Sequence, residues 1–108
     1  MQAVAEKTVI VGKPELSPLK MGKSFKTFQI TGKQGMKMPS HLSTKETVVS
    51  IQKGSANLKM ADGECIFLEE EDVFIIPGGK VHSLELTKDF KAIAIMATDS
   101  EIKFTNNI

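Results

Sequence analysis

The sequence has no tryptophan, no tyrosine and no arginine; all fourteen basic residues are lysine. Planar two-point clamps on carboxylate or phosphate depend on the guanidinium fork, so a substrate clamp of that kind is excluded. Without indole or phenol, the six phenylalanines must supply any aromatic wall. There is one cysteine, Cys65, so an intrachain disulfide is excluded. No apolar run reaches the length of a membrane span, and the first residues lack a secretory pattern. The sequence therefore reads as that of a cytoplasmic protein. Histidine is scarce as well: His41 and His82 are the only two.

An apolar content of 41% and a charged content of 25% are those of an ordinary globular protein. The length predicts a single domain over residues 1–108. The net charge of +1 gives no reason to expect nucleic acid or membrane as a partner. Lysine is nevertheless unevenly placed. Residues 1–37 hold seven lysines against Glu6 and Glu15. A solvated face is the simple reading of that imbalance, and an anionic partner is the sharper one.

Short strand signals separated by glycine, proline, asparagine and aspartate predict an all-β fold, a small antiparallel β-barrel or jelly roll. Strands are expected at 7–11, 25–31, 36–42, 47–53, 55–60, 64–68, 72–76, 81–86, 90–97 and 101–104. Asp62-Gly63 marks a tight hairpin. Residues 13–24, with two prolines and a glycine, are expected to wander over the surface.

Alternation assigns faces, since residues two apart in a strand point the same way. Thr47, Val49 and Ile51 form the more apolar face of their strand. Extending the frame backwards turns Ser43 and His41 inwards and leaves Glu46 outside. His82, Leu84 and Leu86 share the apolar face of another strand. Both histidines are therefore expected to enter one interior, with Ser43 and Thr47 beside them and Val49, Ile51 and Leu84 as walls. Met36 and Met38 fall opposite His41, provided Pro39 does not shift the pleat.

Each histidine closes a punctuated segment. Gly35, His41, Ser43, Thr47 and Gly54 make the first; Glu71, Pro77, Gly79, His82 and Leu86 make the second. This spacing resembles the two motifs of the cupin superfamily. Gly35, His41, Gly54, Pro77, Gly79 and His82 fall in register with them. Ser43 stands where that family has a second histidine and Thr47 where it has a glutamate. Glu71 and Leu86 replace a glycine and an asparagine, and without the glycine, which accommodates an unusual backbone, the turn at Glu71-Asp72 is expected to be shaped differently here. The resemblance implies a jelly roll with a divalent metal held by three histidines and a glutamate, of which only His41 and His82 remain. No cofactor is expected; weakly bound zinc, nickel, copper, iron or manganese at those two residues is the alternative. Ser43 and Thr47 are neutral hydroxyls and poor ligands.

Other residues carry less. Cys65 has apolar neighbours on one side and no cation close in sequence, which predicts a buried, inert thiol. Glu69 to Asp72 reads as a solvated turn. Phe90 to Ala97 is apolar on both faces apart from Lys91, which predicts packing between subunits and a homodimer. The functional expectation is a small-molecule-binding module, not an enzyme, that takes a neutral ligand. The alternative is a divergent metal-dependent enzyme of the dioxygenase, isomerase or decarboxylase kind.

Overall fold

The computed structural model describes residues 12–105, and those residues contain strands, turns and bends but no helix. The strand expected at 7–11 lies outside them. The strands are β1 (Glu15–Met21), β2 (Phe25–Gly32), β3 (Lys37–Ser43), β4 (Thr47–Lys53), β5 (Ser55–Met60), β6 (Cys65–Glu69), β7 (Val73–Ile76), β8 (His82–Leu86), β9 (Phe90–Ala97) and β10 (Ile102–Phe104). They form two five-stranded antiparallel sheets, ordered β1-β2-β9-β4-β7 and β10-β3-β8-β5-β6. The sheets face one another as a jelly roll and do not close into a barrel.

The core lies between the sheets and follows the alternation of the sequence. Along β4 and β8 every second residue is buried, Thr47, Val49 and Ile51 on one and His82, Leu84 and Leu86 on the other. Ile51, Leu58 and Leu86 are almost fully enclosed, and each such side chain contributes about 1.5–3 kcal/mol of burial. At the turn from β4 to β5, Gly54 adopts φ +81°, and a Cβ there would lie 1.9 Å from the Asp89 carbonyl oxygen. Only glycine fits.

Four expectations need correction. Residues 15–21 are not a wandering segment but β1, which among the described residues pairs with β2 alone. An edge strand tolerates Pro18 because the missing N–H faces no second strand among the described residues. Met38 is not opposite His41: it is buried and shares the inner face. Met38 pairs with Leu84 and His41 with His82, so β3 spends one more residue than β8 between the two pairs. That bulge at Pro39-Ser40 turns the pleat. Cys65 is exposed, because it shares with Phe67 the outer side of β6, while Leu68 on the other side is buried. Glu71 keeps φ +75°. The turn expected to change shape where glycine is lost instead holds a left-handed conformation in a non-glycine residue.

Candidate functional site

β3 and β8 lie side by side and bring His41 and His82 into direct cross-strand register. The loop before β8 is fastened to β3, where Gly79 N donates to Ser43 O at 2.7 Å. Gly78 passes so close that an added Cβ would lie 2.8 Å from Lys45 Cα. The two imidazole centroids are 4.3 Å apart with their planes at 62°. Phe104 of β10 leans on His41 at 5.1 Å.

Each ring is oriented by its own backbone. His41 Nδ1 donates to Pro39 O at 2.7 Å, and His82 Nδ1 donates to Lys80 O at 2.9 Å. A carbonyl can only accept, so the proton of the neutral ring sits on Nδ1 in both cases. Each Nε2 is left as a lone-pair acceptor, and no described residue hydrogen-bonds to it. Burial is the main force holding both pKa values below the usual histidine value. The carbonyl contacts work against that shift, and for His41 the nearby His82 adds to it.

The rings open into a cavity of about 60 Å³ between the sheets. Ser43 and Thr47 line it with them, and Val49 and Leu84 are among its apolar walls. Ile51 is not; it is core packing further along β4, so its place in the expected pocket is corrected. Alternation gives the face of a residue but not its depth along the strand. Met38, Met96, Leu16, Ile102 and Phe104 also line the cavity. β1 and β10, at corresponding edges of their sheets, supply three of these, which short or proline-bearing strand signals could not reveal. Thr47 Oγ1 is buried and has no hydrogen-bond partner among the described residues. The cavity is thus mostly apolar, with two imidazoles and two hydroxyl-bearing residues in its lining.

The molecule resembles solved structures in its fold. A conserved double-stranded β-helix protein of unassigned character from Klebsiella pneumoniae superposes with a TM-score of 0.74 at 16% identity, over 86% of each chain. A cupin superfamily protein from Desulfitobacterium hafniense gives 0.72 at 20% identity, covering 91% of this chain and 84% of that one. The fold is that of the cupins. The DMSP lyase DddQ from Ruegeria pomeroyi also shares it, with a TM-score of 0.76 at 18% identity, covering 86% of this chain but only 52% of the lyase. No family model matches the sequence, and no curated protein does.

The metal that a cupin fold suggests can be tested against the donors present. Among the described residues, no group of three or more histidine, cysteine, aspartate or glutamate side chains converges on a point. Ser43 and Thr47 would bind only as neutral hydroxyls. Among the described residues no carboxylate lines the cavity to offset a divalent charge, and an uncompensated charge in an apolar site is costly. The donor set does not fit a tightly held divalent ion. The Glu46 carboxylate is exposed on the turn before β4 and does not line the cavity.

Proposed function

We propose that this protein is a non-catalytic binding module whose cavity takes a small neutral molecule able to donate hydrogen bonds. The observation that carries the reading is the pairing of two Nε2 acceptors with the orphaned hydroxyl of Thr47 in one apolar-walled space. Buried polar groups of this kind normally have partners, and a ligand with two donors would supply them. The size of the cavity restricts the occupant to a few heavy atoms. Ser43 lies beside the rings as a further donor or acceptor. Zinc, nickel, copper, iron or manganese would be held weakly at best, by the two imidazoles and water. The exposed thiol of Cys65 is in keeping with a reducing, cytoplasmic setting.

The alternative, a metal-dependent enzyme, has its support in the fold it shares with a lyase. Elemental analysis of untagged, dialysed protein separates the two readings. Well under one equivalent of transition metal is expected, and a stoichiometric ion would favour the enzyme. Ring-nitrogen NMR tests the pocket itself. Both histidines should show protonated Nδ1, bare Nε2 and depressed titration midpoints, and should respond together to a ligand such as urea or ethylene glycol. Two independent titrations at the free-histidine value would sink the proposal.

A homodimer belongs to the same reading. On the outer face of the first sheet, Ile75, Val48, Ile95 and Thr27 form one cross-strand row and Val73, Ser50, Ile93 and Gln29 the next. Neither row contains a charge, and Val73 and Ile75 are more than half exposed. A second copy offering the same uncharged face would cover both. Sedimentation at about 50 µM, well above the Kd expected for a standard-sized interface, should show dimer; monomer alone would refute it.

A further inference from the structure

Away from the imidazoles, at the other end of the jelly roll, a second concavity of about 570 Å³ opens beside the start of β1 and the end of β4. Across four strands of the first sheet runs the row Lys53, Lys91, Thr31, Glu15, each residue paired in register with the next. A bulge after Ile51 places Lys53 opposite Lys91. Like charges directly opposed across strands destabilise a sheet. The second sheet shows the usual arrangement: Lys37 is paired with Glu85, and Lys59 reaches Glu85 at 3.0 Å. At Lys53 the cross-strand partner is another lysine.

Lys13 and Lys33 line the same groove, together with Glu15 and Asp89. Four ammonium groups against two carboxylates leave an excess of +2. Asp89 is already engaged, by Lys33 at 3.8 Å and by the Gln34 amide at 2.9 Å. Among the described residues, no carboxylate forms an ion pair with Lys13, Lys53 or Lys91. Met36 and Phe90 give the groove an apolar floor. Its volume lies in the range of small-molecule sites.

We propose that this groove binds a small phosphate monoester, with Lys53 and Lys91 sharing the oxygens of the dianionic phosphate and the organic part resting on Met36 and Phe90. Two ammoniums on adjacent strands stand close enough to contact one phosphate, and lysine serves as a point-charge phosphate ligand where no arginine exists. A terminal dianion answers the local excess of two charges. A backbone diester carries one charge per phosphate, and a chain with net charge +1 has little long-range pull on a polyanion. Phe90 is the one residue lining both this groove and the histidine cavity, and the proposal does not depend on what that cavity binds.

The test uses phenyl phosphate, inorganic phosphate and a short single-stranded DNA, each titrated into the full-length protein at constant ionic strength set with sodium chloride. Backbone NMR should show saturable shifts at Thr31, Lys53 and Lys91 for phenyl phosphate, and weaker binding of inorganic phosphate at the same residues. Lys53→Gln and Lys91→Gln should each weaken phenyl phosphate binding about tenfold, the effect of one charge-assisted hydrogen bond. Lys103→Gln, outside the groove, should leave it unchanged. Both groove variants should also melt at a higher temperature than the parent in phosphate-free buffer, because the opposed charges are relieved. Shifts reproduced by chloride alone, equal binding of the ester and inorganic phosphate, tighter binding of DNA at these residues, or an equal effect of Lys103→Gln would each overturn the proposal.

Discussion

Thr47→Val is the most incisive single change. The Thr47 hydroxyl oxygen is buried in the cavity wall and has no hydrogen-bond partner among the described residues. The residue is 5% exposed, so it cannot turn to bulk water. Leaving such a group unsatisfied costs about 1–3 kcal/mol. Valine keeps the β-branched shape that suits β4 and replaces the hydroxyl with a methyl against Ile76 and Met96, its cross-strand partners. The substitution should therefore stabilise the ligand-free protein by about 1–2 kcal/mol. For a domain of this size that is a rise of about 4–8 °C in melting temperature.

Urea unfolding followed by circular dichroism measures the gain as a higher midpoint with an unchanged slope. Thr47→Ser is the control: it keeps the hydroxyl, loses a methyl and should destabilise by about 1 kcal/mol. The same Thr47→Val change should weaken ligand binding, since it removes one of the converging polar groups. A hydroxyl retained at a cost to stability but needed for binding is the pattern of a functional site. A Thr47→Val protein that is less stable than the parent would refute the reasoning, because the hydroxyl would then already have a partner.

Three further outcomes follow from the geometry. Gly54→Ala should cost more than about 3 kcal/mol, enough to threaten folding, because its Cβ would lie 1.9 Å from Asp89 O; a thermal melt within a few degrees of the parent would count against the turn. Glu71→Gly should gain about 0.5–1 kcal/mol in urea, the left-handed strain relieved less the added freedom of glycine in the unfolded chain, while Glu71→Ala keeps the strain and should gain nothing. Both histidines have folded pKa values below the unfolded value of about 6.5. The unfolded chain therefore binds more protons below that pH, so stability is complete above about 6.5 and falls as the pH drops towards the folded values. His41→Gln with His82→Gln should flatten stability between pH 6.5 and 5, and an unchanged slope would place the loss elsewhere.

The sequence made the strands visible where burial alternates strictly. β4 and β9 stand where the pattern puts them, since one polar residue out of phase would enter the core. β1 was hidden because local turn chemistry argued against it. Pro18 and Gly22 look like breakers until the strand is known to be an edge. Met38 was hidden by a single inserted residue, and nothing local distinguishes a bulged Pro39-Ser40 from a regular pleat. Cys65 looked buried because its neighbours are apolar, yet strict alternation from Leu68 would have placed it outside with Phe67. Lys53 and Lys91 gave no signal at all, because opposition across strands is a property of register between distant segments.

Local backbone is enough to hold the histidine pair in place. Each ring is held by a carbonyl only two residues away, Pro39 for His41 and Lys80 for His82. The tautomer and the ring direction are thus set by local backbone, not by an ion between the rings. Register between β3 and β8 then supplies their separation. With both Nδ1 protons committed to carbonyls, the cavity presents two acceptors at neutral pH. Protonation of either ring turns an acceptor into a charged donor, and the apolar walls that depress both pKa values resist that change. On the proposed reading, the same burial that costs stability in acid would also favour neutral molecules that donate over anions, across the pH range in which both rings stay neutral.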